Sequence, residues 1–114
     1  MEEPEQKLSK YRSMRDFEST PEPSGDEALA QEADALPRFV IQEHHASSLH
    51  WDLRFERDGV LPSWAIPRGI PPDPRQNHLA VQTEDHPLMY LDWSGEIPAG
   101  QYGAGTMTIW DTGT

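Results

Sequence analysis

One short segment of the chain concentrates side chains that bind metals and anions. His50, Asp52 and Arg54 alternate with apolar residues over positions 49–56. Because successive side chains of a β-strand point to opposite faces, this alternation predicts a strand with the three polar groups on one face. Like-facing residues lie about 7 Å apart along a strand, so the imidazole and the carboxylate can share one cation while the guanidinium reaches the next group. A cation and a guanidinium in a row suit a phosphate.

The opposite face of this predicted strand is apolar, and we expect it to pack against the core. It consists of Leu49, Trp51, Leu53 and Phe55. The simplest alternative for the polar face is a solvated surface, which usually carries Lys, Glu, Thr and Ser rather than alternating His, Asp and Arg. Both interpretations stay open on this segment alone.

A further histidine, His44, ends the preceding apolar run and is separated from His50 by a short loop. Two imidazoles and one carboxylate leave coordination positions open for water and substrate, which is typical of a catalytic metal site. These donors suit manganese, zinc or ferrous iron, so they do not select the metal. The adjacent His45 would point away from the site in a strand, and we expect it to be exposed.

Other candidate residues lie outside this strand and are less specific. His86 could bond a phosphoryl oxygen or protonate a leaving oxygen, because its ordinary pKa permits both states near neutrality; a capped turn is the alternative. Arg68 and the pair Arg15-Asp16 are either phosphate ligands or surface charges. Surface charge is the better interpretation from the residues alone.

Length and composition fit one small domain. The 114 residues contain no cysteine, which excludes disulfides and thiolate metal sites. No apolar run of about 18 residues and no signal peptide is present, so we expect a soluble, cytoplasmic protein that does not enter membranes. The net charge of −11 argues against a broad basic footprint on nucleic acid. Recognition of one terminal phosphate needs only a cation and a few arginines.

The chain divides into two parts of different texture. Residues 1–36 hold ten acidic and four basic residues with few large apolar ones, which predicts a flexible segment, with a short helix at 26–34. Residues 37–114 alternate short apolar runs with Gly, Pro and Asp, which is typical of an all-β fold, and we predict a small β-barrel with a hairpin turn at Asp58-Gly59. The predicted strands are 38–43, 49–57, 60–66, 79–83, 89–93 and 106–111.

Several motifs follow one another in a specific order. They are FVIQEHHASSLHWDLR from residue 39, SWAIPRG from residue 63, LAV and EDHPLMY within 79–90, and GEIPAGQYGAGT from residue 95, preceded by YRSMRDF and TPEPSG within 11–25. Together they resemble the 3′-phosphoesterase domain of bacterial DNA ligase D and its stand-alone relatives. The resemblance covers most of residues 8–114.

This resemblance implies a compact β-barrel that heals ragged 3′ ends in non-homologous end joining. It implies a manganese-dependent site that removes a terminal ribonucleotide from a DNA primer strand and then the remaining 3′-phosphate. By position in the motifs, the metal ligands would be His44, His50 and Asp52, the phosphate ligands Arg54 and His86 with Tyr90 nearby, and the residues that contact substrate or orient other groups Arg15, Asp16, Glu22, Arg68 and Glu84. His78 stands where relatives usually have a basic residue, which predicts one weaker phosphate contact.

The resemblance also implies the partners of the protein. DNA 3′ ends are the expected substrate, with ligase and polymerase modules or an end-binding repair protein as further partners of a monomer that joins the nucleoid during repair. The family domain is expected to continue past residue 114. Two alternatives remain open: a DNA-end-binding or docking module without turnover, and a cupin-like metal oxygenase, since two histidines and a carboxylate also hold ferrous iron.

Overall fold

The computed structural model describes residues 7–15, 17, 22 and 36–114. In chain order its elements are helix α1 (Ser9–Ser13), strands β1 (Phe39–His45), β2 (Leu49–Phe55), β3 (Ser63–Ile66) and β4 (Val81–Gln82), a 3₁₀ helix (Leu88–Asp92), and strands β5 (Gly95–Ile97) and β6 (Gly105–Gly113). The fold is therefore all-β, as predicted. The helix predicted at 26–34 lies outside the described residues. In the described part of the chain, no helix has the length and apolar character needed to cross a membrane.

All six strands form one antiparallel sheet in the order β4-β3-β2-β1-β6-β5. Within the described residues β4 and β5 lie at opposite edges and do not pair, so the predicted closure into a barrel is wrong. The edge strands are short, with two residues in β4 and three in β5. Pro71, Pro72 and Pro74 lie in the loop between β3 and β4, where proline cannot donate to a strand ladder.

The predicted strands mostly correspond to observed ones with shifted ends. The run 60–66 is shortened to β3, because Val60 and Leu61 form only isolated bridges, with Arg57 and His86. The run 89–93 is not a strand: Pro87 accepts a hydrogen bond from the Tyr90 amide at 3.0 Å, and the chain continues as the 3₁₀ helix. Strand β5 was not predicted.

The hairpin turn predicted at Asp58-Gly59 is confirmed. Asp58 and Gly59 have φ values of 52° and 83°, the positive range that a tight two-residue hairpin turn requires. Arg57 and Val60 pair across the turn, with the Arg57 amide donating to the Val60 carbonyl at 2.9 Å. The turn therefore sets the return of the chain from β2 towards β3.

The buried face of β2 is its polar face. Asp52 and Arg54 are buried, whereas Leu49 and Phe55 on the other face are each 44% exposed. The expectation that the apolar face packs the core is therefore wrong. The reason is that α1 and the 3₁₀ helix cover the polar face and bring their own apolar side chains to it. The resulting core cluster consists of Tyr11, Val40, Leu61, Leu88, Tyr90, Leu91 and Met107.

Candidate active site

Two neighbouring strands bring together three side chains that bind metals. His44 on β1 lies opposite His50 on β2, and Asp52 follows on the same face of β2. His44 Nδ1 lies 3.1 Å from His50 Nε2 and 3.2 Å from Asp52 Oδ2, and His50 Nε2 lies 3.3 Å from Asp52 Oδ1. Donor atoms this close are at the separation of neighbouring ligands that each lie about 2.1 Å from one cation.

Backbone carbonyls orient both imidazoles of this cluster. His44 Nε2 donates to the Gly103 carbonyl at 2.8 Å, and His50 Nδ1 donates to the Ser48 carbonyl at 3.2 Å. Because a carbonyl can only accept, the ring nitrogen that faces the cluster carries a lone pair when the imidazole is neutral and donates to Asp52 when the imidazole is protonated. Two lone pairs and a carboxylate that point at one another fit a divalent cation, and the carbonyls are the outer partners that metal-binding histidines usually have.

The Asp52 carboxylate remains ionised although it is buried. Burial alone would raise its pKa, but the Arg54 guanidinium and the hydrogen bonds from His44 and His50 outweigh burial and hold the pKa far below its ordinary value. The hydrogen bond with Asp52 in turn raises the pKa of His50. Asp52 thus contributes a negative charge to a cation that binds at the cluster.

The family resemblance implies that Arg54 binds the phosphate, and one buried nitrogen of its guanidinium is available to do so. Its Nε donates to Gln42 Oε1 at 2.7 Å, its Nη2 lies 3.5 Å from Asp52 Oδ2, and its guanidinium carbon lies 4.8 Å from the centre of the Tyr90 ring. Nη1 is buried and has no hydrogen-bond partner among the described residues. A buried guanidinium nitrogen without an acceptor is costly, which points to a bound anion as its partner.

His86 is a neutral acceptor at the same site. Its Nδ1 donates to the Glu84 carbonyl at 2.8 Å, so Nε2 carries the lone pair, 3.5 Å from Arg15 Nη2. Burial and the charges of Arg54 and Arg15 hold the pKa of His86 well below its ordinary value. In this state His86 can accept a proton or a hydrogen bond at Nε2 but has none to give there.

Residues of the N-terminal segment complete the site. Arg15 lies 2.9 Å from Glu22 Oε2 through Nε and 2.9 Å from Glu84 Oε1 through Nη1. Burial opposes the charge of Arg15, but the nearby Glu22 carboxylate outweighs it and raises the pKa of the guanidinium. The Tyr90 hydroxyl donates to Glu22 as well. A segment that composition marks as flexible thus supplies a buried ion-pair network; Asp16 lies outside the described residues.

These groups surround one cavity of about 300 Å³. Its described lining consists of Arg15, Glu22, His44, Ala46, His50, Asp52, Arg54, Ala65, Thr83, Glu84, His86, Tyr90, Ile97, Tyr102, Gly103 and Met107. The volume is at the lower end of the range for small-molecule sites, which suits a phosphate and part of a sugar better than a whole duplex.

Comparison with known proteins gives the family. The sequence model of the DNA ligase D 3′-phosphoesterase domain matches residues 42–114. The chain belongs to this family. It is 56% identical over 108 residues to the multifunctional non-homologous end joining protein LigD of Mycolicibacterium smegmatis, covering 95% of this chain and 14% of the relative. It is 51% identical over 106 residues to LigD of Pseudomonas aeruginosa, covering 93% of this chain and 12% of the relative. The chain thus spans only a small part of the length of these relatives.

Within this LigD 3′-phosphoesterase chain, most predicted site residues come together, and one does not. The cavity gathers His44, His50, Asp52, Arg54, His86, Tyr90, Arg15, Glu22 and Glu84. Arg68 is exposed in the turn after β3 and is not among the described lining residues. His78 donates through Nδ1 to the Gly69 carbonyl at 2.8 Å, which places it near that turn rather than at the cavity.

Reasoning from the sequence missed two residues that lie at or beside this cavity. Gln42 is fully buried and donates to the carbonyls of Tyr90 and Trp93 at 3.0 and 2.9 Å while it accepts from Arg54. The alternation of β1 places Gln42 on the face of His44, so the same argument that found His50 and Asp52 would have found it. Tyr102 lines the cavity from a glycine-rich loop, and no periodic pattern identifies such a residue.

Proposed function

We propose that this chain is a metal-dependent phosphoesterase that removes 3′-phosphates and 3′-terminal ribonucleotides from DNA primer strands in double-strand break repair. The observation that carries the proposal is the buried Nη1 of Arg54, which has no partner in the described part of the chain and lies in the cavity that also holds the His44, His50 and Asp52 cluster. A cation and a guanidinium donor in one cavity match the charge of a phosphate ester. Membership of the LigD 3′-phosphoesterase family supports the same reaction class.

His44, His50 and Asp52 would hold the metal, and we propose Mn²⁺. Their two imidazole nitrogens and one carboxylate suit this ion and leave positions for water and a phosphate oxygen. A cation bound there would neutralise phosphate charge and lower the pKa of a bound water. The carbonyls of Gly103 and Ser48 keep the two lone pairs aimed at the ion before it binds.

Arg54 would clamp the scissile phosphate through Nη1. Gln42 and Asp52 hold the other side of the guanidinium, so its direction is fixed before the substrate arrives. Hydrogen bonds to charge that develops in the transition state are worth most when the donor is preorganised and shielded from water. The Tyr90 ring would support the Arg54 guanidinium. The Tyr90 hydroxyl would not bind the phosphate directly, because it already donates a hydrogen bond to Glu22.

His86 would take up a proton when the phosphate binds. Burial and the charges of Arg54 and Arg15 keep His86 neutral, and a phosphate dianion would offset the two arginine charges, so the pKa of His86 would rise in the complex. The protonated Nε2 can then hydrogen-bond the phosphate and give its proton to the departing 3′ oxygen as the phosphorus–oxygen bond breaks. Water that adds to phosphorus completes the reaction, which yields a 3′-hydroxyl and inorganic phosphate.

We propose DNA 3′ ends as the substrate and further end-joining modules as partners. The chain spans 14% of a relative described as a multifunctional non-homologous end joining protein. Ligase and polymerase modules or an end-binding protein would therefore act on the hydroxyl that this site exposes, and the protein would act at the nucleoid as a monomer.

The test is release of phosphate from a primer–template that ends in a 3′-phosphate, and shortening of one that ends in a single ribonucleotide. We expect both with Mn²⁺ and neither with chelator. His50→Ala and Arg54→Ala should abolish both, whereas His45→Ala, an exposed neighbour of His44, should retain them. Phosphate release that persists in His50→Ala with manganese contradicts the proposal, as does binding of the ends without turnover.

A further inference from the structure

Tyr102 is an aromatic residue at the rim of the cavity. It lines the cavity and is 48% exposed, in contrast to Tyr90, which is 1% exposed and lies deeper. The Arg15 guanidinium carbon lies 5.1 Å from the centre of the Tyr102 ring and 4.0 Å from the centre of the Tyr11 ring. Arg15 therefore lies between two tyrosine rings, one buried and one at the opening.

The loop that carries Tyr102 is hydrogen-bonded to His44 of the candidate metal site. Residues 98–104 fold as consecutive turns, with the Gln101 amide donating to the Pro98 carbonyl at 3.2 Å and the Ala104 amide donating to the Gln101 carbonyl at 3.1 Å. Gly103, the residue after Tyr102, accepts the hydrogen bond from His44 Nε2. Its φ of 77° is one that other residues rarely adopt. The position of the ring is thus set by the same loop that orients a metal-binding histidine.

Cation–π contact with Arg15 gives the ring one occupied side. Arg15 is itself held by Glu22 and Glu84, so the guanidinium is a fixed support rather than a mobile side chain. A half-exposed aromatic ring on a fixed support is what a stacked nucleobase requires.

A nucleoside attached to a phosphate in the cavity would lie at the rim, beside Tyr102. The phosphate ligands lie among the buried groups of the cavity, and Arg54 is 2% exposed. A nucleoside whose 3′ oxygen carries that phosphate must extend outwards through the opening, past the rim. Among the described lining residues, Tyr102 is the aromatic side chain exposed there.

We propose that Tyr102 is the stacking platform for the base of the nucleotide whose 3′ oxygen bears the scissile phosphate. Stacking accepts any base, since every base has a π-face, so this contact selects a nucleoside over a simple phosphate ester without reading its sequence. The inference rests on the proposed function, because it takes the phosphate to bind at Arg54.

The test measures binding of two fluorescent primer–templates, both with a 3′-phosphate, one with a normal last nucleotide and one with an abasic last nucleotide. Measured in chelator, so that no turnover occurs, Tyr102→Ala should weaken binding of the normal end about 5- to 150-fold. Tyr102→Phe should bind like the unaltered protein, and all variants should bind the abasic end equally. Trp110→Ala removes an aromatic residue that is 53% exposed and absent from the described cavity lining, and should change nothing. With manganese, Tyr102→Ala should raise KM for the normal end and leave kcat unchanged.

Three results would overturn the stacking role. Equal loss on both ends would mean that Tyr102 only supports Arg15, and no loss on either would mean that the base passes elsewhere. Failure of the unaltered protein to bind the normal end more tightly than the abasic end would exclude stacking altogether. If the protein shows the expected binding pattern but releases no phosphate with manganese, the proposed reaction fails while the stacking contact stands.

Discussion

The two faces of strand β2 come from alternate residues of one seven-residue segment, yet they differ in almost every physical respect. The inner face carries His50, Asp52 and Arg54 and is covered by α1 and the 3₁₀ helix. The outer face carries four large apolar side chains, of which Leu49 and Phe55 are each 44% exposed and the other two are partly buried. In small domains burial usually follows hydrophobicity. Here the polar groups are buried instead, because hydrogen bonds and ion pairs on the inner face replace the water that these groups lose.

Adjacent substitutions on opposite faces give the largest expected contrast. Arg54→Ala should lower phosphate release by at least about 100-fold, since it removes the proposed clamp. It should also destabilise the protein by about 3–5 kcal/mol, because Asp52 and Gln42 lose their buried partner. Phe55→Ala should retain activity and cost only about 1 kcal/mol, because Phe55 is 44% exposed. Urea unfolding and phosphate release measure both, and equal effects of the two changes would contradict the comparison.

Gln42→Leu tests the polar contacts of the neighbouring strand β1, where Gln42 holds Arg54 but is not proposed to touch the substrate. Leucine has a similar size but leaves the carbonyls of Tyr90 and Trp93 and the Nε of Arg54 without their partner, which should cost at least about 2 kcal/mol. Glu43→Ala, at the next position on the outer face, should cost less than about 0.5 kcal/mol. If Gln42→Leu leaves the free energy of unfolding unchanged in thermal unfolding, the polar contacts of Gln42 do not stabilise the fold.

Metal should stabilise the fold through the inner face alone. Manganese at 100-fold excess over its Kd should raise the free energy of unfolding by about 2.7 kcal/mol, since the unfolded chain does not present the assembled cluster. His50→Ala should abolish the increase, and His45→Ala should keep it, because His45 is exposed and bonds Glu43 instead. Calorimetric melting with and without manganese measures the difference; an equal increase in both variants would place the ion elsewhere.

Acidification should gradually lower the free energy of unfolding through His86. The pKa of His86 is well below its ordinary value in the folded chain, so near pH 6.5 the unfolded chain takes up a proton that the folded chain does not. The stability contributed by neutral His86 is present above about pH 6.5 and is lost as pH falls, by up to about 1.4 kcal/mol per unit. His50 acts in the opposite sense: its pKa is raised, so its contribution is present below about pH 6.5 and is lost as pH rises.

Unfolding in chelator between pH 5 and pH 8 tests the contribution of His86. His86→Gln should flatten the loss of stability below pH 6.5, and His45→Gln should leave the profile unchanged. A profile that is equally steep in His86→Gln would mean that another group carries the acid sensitivity.

The alternation of β2 could be predicted from the sequence because every second residue of a strand faces the same side. The same rule places Gln42 and His44 on one face of β1. It assigned the buried face wrongly because the covering groups come from far along the chain. Tyr11 and Tyr90, which bond each other over the polar face, are 79 residues apart. The run 89–93 looked like a strand because a single 3₁₀ turn is too short to show its own period.

The site residues outside the sheet depended on the family resemblance. Composition marked the N-terminal segment as flexible, and only the motif order placed Arg15 and Glu22 near the phosphate ligands. Their ion pair is stable in a buried position because Glu84 and the Tyr90 hydroxyl complete it, and no local pattern encodes partners that are so distant in sequence.

Strand alternation has a further consequence for how this protein can change over generations. Substitutions at every second residue of β2 change the outer surface of the protein. They leave the side chains of the inner face unchanged. Codons that determine the exposed surface and codons that determine the buried polar cluster therefore alternate within one strand.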